Sequence, residues 1–102
     1  MARNYNTTSA GGPFDASIIN TVWQKATAVA GQDPNVYRKD PCGAWIQRNA
    51  YGTTGKYGWE IDHEKPIAHG GTDILSNLQP LHWENNRHKS DNWPKWFCKR
   101  LA

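Results

Sequence analysis

Asp62 and His63 stand side by side, Asn77 follows fourteen residues after that histidine, and Asn86 comes nine residues further on. These residue types suit one kind of chemistry. A carboxylate and a side-chain amide are hard oxygen donors for a divalent cation. An imidazole that is neutral near pH 7 can take a proton from water. Asp62 is therefore the first metal candidate, Asn86 the second, and His63 the candidate general base. Two oxygen donors leave most of a coordination sphere to water and substrate, which suits Mg²⁺, with Mn²⁺ as the near substitute. Neighbours on a regular strand point to opposite faces, so Asp62 and His63 can work on different sides of one reacting group.

The surrounding pattern supplies elements to hold these residues. Trp59-Glu60-Ile61-Asp62 alternates apolar and polar, as a half-buried strand does. Pro66 forbids that strand from continuing inside a sheet, and Gly70-Gly71-Thr72-Asp73 marks a loop. Leu78-Gln79-Pro80-Leu81 alternates again, and Trp83 to Ser90 contains no Gly or Pro and reads as a short helix. The order is strand, loop, strand, helix, with every candidate residue on it.

The D-H pair, the G-G, the N-L-Q-P-L and the N-N-R-H-K-S-D fall in an order that resembles the HNH nuclease family, the ββα-metal or His-Me finger fold. The resemblance runs from Gly58 to Asp91. It implies an α+β protein with a ββα-metal core, and a metal-dependent endonuclease that hydrolyses DNA phosphodiesters, with His63 activating water and Asp62 and Asn86 holding the metal. It further implies that Asn77 bonds across the loop and steadies the backbone of the catalytic histidine; without the family, an Asn before a strand is a turn residue. Where colicin-like members place a further histidine, four residues after Asn86, this chain has Ser90. That departure favours Mg²⁺ over Zn²⁺ or Ni²⁺. Arg87 and Lys89 beside the metal helix, with Lys65 and Arg48, are the expected phosphate contacts. His69, His82 and His88 read as structural or solvent-facing, His82 being the nearest to an additional ligand.

Length bounds the rest. At 102 residues the chain has room for one domain, expected over 13–102 with its core at 58–91, and a flexible tail over 1–12. Six Trp, four Tyr and two Phe supply large buried areas. No apolar run of about 18 residues exists, and the N-terminus lacks the apolar centre of a signal peptide, so no membrane contact and a cytoplasmic location are expected. Cys42 and Cys98 lie far apart, and neither belongs to a C-x-x-C pair, so the zinc knuckles of many HNH proteins are missing. Free thiols are the expectation in a reducing compartment, with a Cys42–Cys98 disulfide or a shared metal site as the alternatives.

Twelve Lys and Arg against nine Asp and Glu give +3, and five of the basic residues fall between Asn86 and Ala102, which points to a polyanionic partner. So short a chain has little surface for reading sequence. The alternative function is accordingly a non-specific DNA-binding HNH module that needs a partner protein, or a second copy of itself, to cleave. A purely structural zinc domain is disfavoured by the absent cysteine pairs.

Elsewhere, Asp15 is a helix N-cap, Ile18, Ile19, Val22, Trp23, Ala26 and Val29 share one helical face, and Gly31 ends that helix. Ala44–Gln47 reads as a short strand. Trp93, Trp96, Phe97 and Leu101 recur at helical spacing, which predicts a C-terminal helix. Trp59 and Trp83 are assigned to the core.

Overall fold

The computed structural model describes residues 4–102. It is a small α+β protein with two helices and two small antiparallel sheets. Helix α1 spans Ala16–Trp23, strands β1 and β2 span Tyr37–Lys39 and Trp45–Gln47, β3 and β4 span Trp59–His63 and Leu78–His82, and helix α2 spans Trp83–Lys89. β1 pairs with β2, and β3 with β4.

The β3–β4 register explains how a proline sits in a strand. Ile61 opposes Pro80. The flanking bonds Trp83 N–H to Gly58 O (3.0 Å) and Glu64 N–H to Asn77 O (2.8 Å) make Ile61–Pro80 a pair whose N–H directions point outward. Pro80 therefore removes no ladder bond. The outward Ile61 N–H donates instead to Asn6 Oδ1 at 2.8 Å, which also accepts the Tyr51 hydroxyl. Residues 1–3 of the expected tail lie outside the described residues. Residues 4–12 are tied to the body by Asn6 and by Ser9, whose N–H and hydroxyl donate to Asp73.

β3 is buried along all five residues rather than half-buried. Trp59 and Ile61 join Phe14, Val22, Trp23, Ala26, Ile46 and Leu78 in the core, while Glu60 and Asp62 are covered from the other side by residues of α2. Helix α1 is shorter than its apolar face predicts. Thr27 exchanges both backbone bonds with Lys39 (2.8 and 2.9 Å), which pulls the chain into an extended bridge before a third turn can form. Asp15 occupies the N-cap position without a side-chain capping bond.

The C-terminal helix does not form. Asn85 takes the backbone instead: its Oδ1 accepts from the N–H groups of Lys99 (2.8 Å) and Arg100 (2.6 Å), and its Nδ2 donates to Arg100 O (2.8 Å). Phe97 and Leu101 stay largely exposed. Cys42 and Cys98, expected as free thiols, form a disulfide. Asp40 prepares that link. Its Oδ1 caps the turn through Cys42 and Ala44 N–H, and its Oδ2 accepts from His82 N–H and Asn85 Nδ2. The expectation of free thiols, which rested on a reducing compartment, is overturned by this link. Among the described residues no helix is long and apolar enough to cross a membrane.

Candidate active site

His63 ends β3 and is 6% exposed. One side of its ring packs near Phe14, with centroids 6.0 Å apart. Its Nε2 lies 2.7 Å from Asp73 Oδ1. A carboxylate only accepts, so the proton sits on Nε2 and Nδ1 is left as the basic nitrogen. Asp73 is held in turn by Ser9, through its N–H (3.0 and 3.1 Å) and its hydroxyl (2.7 Å). Burial raises the Asp73 carboxyl, but the hydrogen bonds from His63 and Ser9 outweigh it and hold the group below the usual carboxylate value.

Asp62 points to the opposite side of β3. Gln79 Nε2 donates to its Oδ2 at 2.9 Å, and the Lys89 ammonium lies 3.2 Å from Oδ2 and 3.4 Å from Oδ1. Burial pushes the Asp62 carboxyl up, against the pull of Lys89 and Gln79. Asn86 comes from the middle of α2. Its Nδ2 donates to Glu60 Oε1 at 2.9 Å, which turns its Oδ1 the other way. Arg87 holds that glutamate, at 3.0 Å from Oε2. Asp62, His63 and Asn86 all line one cleft of about 80 Å³, closed on its other sides by residues 4–7, Pro66, Ile67, Ser90 and Asp91.

Asn77 lies behind this cleft. Its Oδ1 accepts from Lys65 N–H (2.8 Å), and its Nδ2 donates to the carbonyls of Lys65 (3.1 Å) and Thr72 (2.9 Å). It thus clasps both ends of the loop that leaves His63. Gly71 makes the clasp feasible, since a Cβ there would sit 1.7 Å from Lys65 O. Gly71→Ala is expected to destabilise the protein by about 3 kcal/mol, the upper end of ordinary overpacking. Thermal unfolding measures it, and an unchanged melting temperature would show that the loop simply relaxes.

The expected phosphate contacts divide. Lys89 is corrected: it is fully buried, its ammonium donating to Asp62 and to His63 O (3.1 Å), so it neutralises a carboxylate instead of meeting solvent. A charge at the end of a seven-residue helix reads as exposed from sequence, but the side chain turns inward between α2 and β3. Arg87 is partly exposed yet engaged by Glu60, with the Tyr5 and Trp83 rings 5.1 and 5.5 Å from its guanidinium carbon. Lys65 lies over Trp93 beside the loop. Arg48 is bound to Asn20 and Asn35 on the α1 side and does not line the cleft. His82 is buried with Nε2 on Lys56 O and Nδ1 capping α2 through Glu84 N–H. His69 bonds the Asp91 carbonyl, and His88 is exposed.

Sequence reasoning missed Glu60, Asp73 and Ser9. Glu60 carried a signal: two residues before Asp62 on a strand, it had to share that face. Asp73 and Ser9 carried none, because nothing local shows that a loop carboxylate folds back on His63 or that a residue 64 positions earlier caps it.

Among the described residues no three His, Cys, Asp or Glu side chains converge to hold a metal ion, and the oxygen-bearing side chains that line the cleft include Asp62, Asn86, Ser90 and Asp91. Comparison with curated proteins and with solved structures gave no match. The family model for HNH endonuclease matches residues 42–92, half of the chain, a range that runs from the disulfide turn past the end of α2 and includes Asp62, His63 and Asn86. The protein belongs to the HNH endonuclease family.

Proposed function

We propose that the protein is a divalent-metal-dependent endonuclease hydrolysing DNA phosphodiesters, built on a ββα-metal core of β3, β4 and α2. The observation that carries this reading is the convergence of Asp62, His63 and Asn86 on one cleft, with the proton of His63 directed to Nε2 by Asp73. DNA is the substrate or partner that the family implies.

His63 Nδ1 takes the proton of an attacking water, and the Asp73 carboxylate steadies the imidazolium that results. Asn77 keeps the backbone at His63 and Lys65 in register with the cleft. HNH nucleases generally use a divalent metal. The residues present fit one: Asp62 Oδ1 carries a single long contact of 3.4 Å, and Glu60 leaves the Asn86 amide oxygen free of the Nδ2 bond. Asp62 and Asn86 would hold the metal, as hard oxygens suited to Mg²⁺ or Mn²⁺. A cation bound there supplies charge to the phosphate and the departing oxygen.

The test is relaxation of supercoiled plasmid by the pure protein with Mg²⁺ or Mn²⁺, repeated with EDTA and with His63→Ala. Metal-dependent nicking by the wild type alone is expected, and nicking that survives EDTA would sink the metal assignment. The Lys89–Asp62 ion pair favours a second reading, since it offsets the only formal charge in the donor set. In that case the chain grips DNA and needs a partner to cut, and a gel shift without cleavage by any form would identify it.

Asp73→Asn is expected to lower kcat by roughly 10- to 10⁴-fold, the upper value being the cost of holding a general-base imidazole in the wrong tautomer, with KM little changed. An amide that keeps its oxygen on His63 presents Nδ2 to the Ser9 N–H. Turned to suit Ser9, it donates to Nε2 and moves the proton to Nδ1. Steady-state kinetics on a nicked-plasmid readout measure the loss, and circular dichroism separates it from misfolding, which would also lower apparent kcat without changing KM. Unaltered kcat would remove Asp73 from the mechanism.

A further inference from the structure

The outer face of the β1–β2 hairpin is built unlike a solvated sheet face. Arg38 and Ile46 oppose each other on the inner side, where Ile46 is fully buried and Arg38 lies over Trp23 at 5.8 Å. Tyr37, Lys39, Trp45 and Gln47 share the opposite side, paired Tyr37 with Gln47 and Lys39 with Trp45. An antiparallel sheet with one face on the core carries polar residues on the other. Here that face carries two large rings. A third, Tyr57, joins them, because its carbonyl accepts the Gln47 N–H at 3.0 Å and lays the chain alongside β2.

Tyr37 stands edge-on to both neighbours, 5.4 Å from Tyr57 at 78° and 6.4 Å from Trp45 at 87°. Together with Gln32 the three rings line an open hollow of about 260 Å³. That is slightly below the roughly 300 Å³ of the smallest drug-sized pockets, so it has room for one flat ring system. Two ammonium groups flank it: Lys39 lies 4.8 Å from the Trp45 centroid, and Lys56 5.4 Å from that of Tyr57. Their charge disfavours a cationic ligand, which an aromatic cage would otherwise suit. It favours a ligand that joins a π face to a phosphate.

We infer that the outer face of β1–β2 is a stacking platform for an unpaired DNA base, which Trp45, Tyr37 and Tyr57 receive together, with Lys39 and Lys56 on the adjoining phosphates. A duplex hides its base faces, so the platform selects single-stranded stretches. Tyr57 lies six residues before His63 on the chain, at most about 20 Å away at full extension. That span is a few nucleotides, short enough for one DNA strand to reach both the cleavage site and the platform. Resting on the nuclease reading, this names the substrate class: DNA with an unpaired stretch close to the scissile phosphate.

Binding of a fluorescein-labelled oligothymidylate, followed by anisotropy in EDTA, tests the platform apart from cleavage. The wild-type chain is expected to prefer the oligonucleotide over a blunt duplex of equal length. Trp45→Ala and Tyr57→Ala are each expected to weaken it by roughly 5- to 150-fold, as loss of one stacked base does, while Trp45→Phe retains it. Circular dichroism checks each variant, and because the two aromatic positions lie on different segments, misfolding of one leaves the other to decide. Wild-type affinity in a folded Trp45→Ala or Tyr57→Ala, or tighter binding of the duplex, would overturn the inference. Stacking-dependent binding by a protein that nicks no plasmid would uphold the platform and remove the nuclease reading.

Discussion

His63→Ala is expected to slow DNA cleavage by roughly 10²- to 10⁴-fold, the range that a positioned general base contributes. The protein should remain folded. β3 is held by its backbone ladder to β4 and by the core residues Trp59 and Ile61, none of which depends on the imidazole. The partner left behind, Asp73, has a side chain 37% exposed and keeps its bonds from Ser9, so no isolated carboxylate is buried. The hydrogen bond that Lys89 makes to His63 is to its backbone carbonyl, which alanine preserves. The loss should therefore appear in kcat, with DNA affinity in a gel shift close to wild type. Single-turnover cleavage on a labelled substrate measures it. A variant within a few-fold of wild type would move the base to another group, and with it the significance of the His63–Asp73 pair.

What the sequence revealed of this site follows from how local each relation is. Asp62, His63 and Asn86 were legible because strand and helix periodicity place neighbours without knowledge of the rest of the fold, and the structure brings all three to one cleft. Gly71 and Asn77 were legible as turn residues; their close approach to Lys65 is a loop property that spacing does not encode. Lys89 was misplaced because charge alone suggests solvent, whereas a buried carboxylate two elements away gave it a partner. The C-terminal segment was misjudged for a related reason. Its aromatic spacing suits a helix, but Asn85 binds its backbone and Cys98 ties it to Cys42, and both constraints are long-range. The outward rings of β1 and β2 were hidden in a stretch of which only Ala44–Gln47 reads as a strand.

Eliminating the Cys42–Cys98 link, by reduction or by Cys42→Ser with Cys98→Ser, is expected to cost about 4 kcal/mol. The estimate rests on the 56-residue separation of the two cysteines, through the loop-closure entropy returned to the unfolded chain. For a domain of this size that corresponds to a fall in Tm of roughly 15–30 °C. The loss has a structural address. The link fastens residues 98–100 beside Asn85, whose amide also bonds Asp40, and Asp40 in turn receives the His82 N–H at the start of α2. Asn86 follows Asn85 directly on that helix, so loosening the tail acts on the cleft through one residue of α2. Melting curves with and without reductant, paired with Mg²⁺-dependent nicking at a temperature below both transitions, separate the two effects. A lower Tm with normal nicking would make the link a staple alone. A lower Tm with weakened nicking that extra Mg²⁺ restores would show that it also holds Asn86 in place. An unchanged Tm, with both thiols titratable after reduction, would show that the Asp40–Asn85 network suffices to hold the tail.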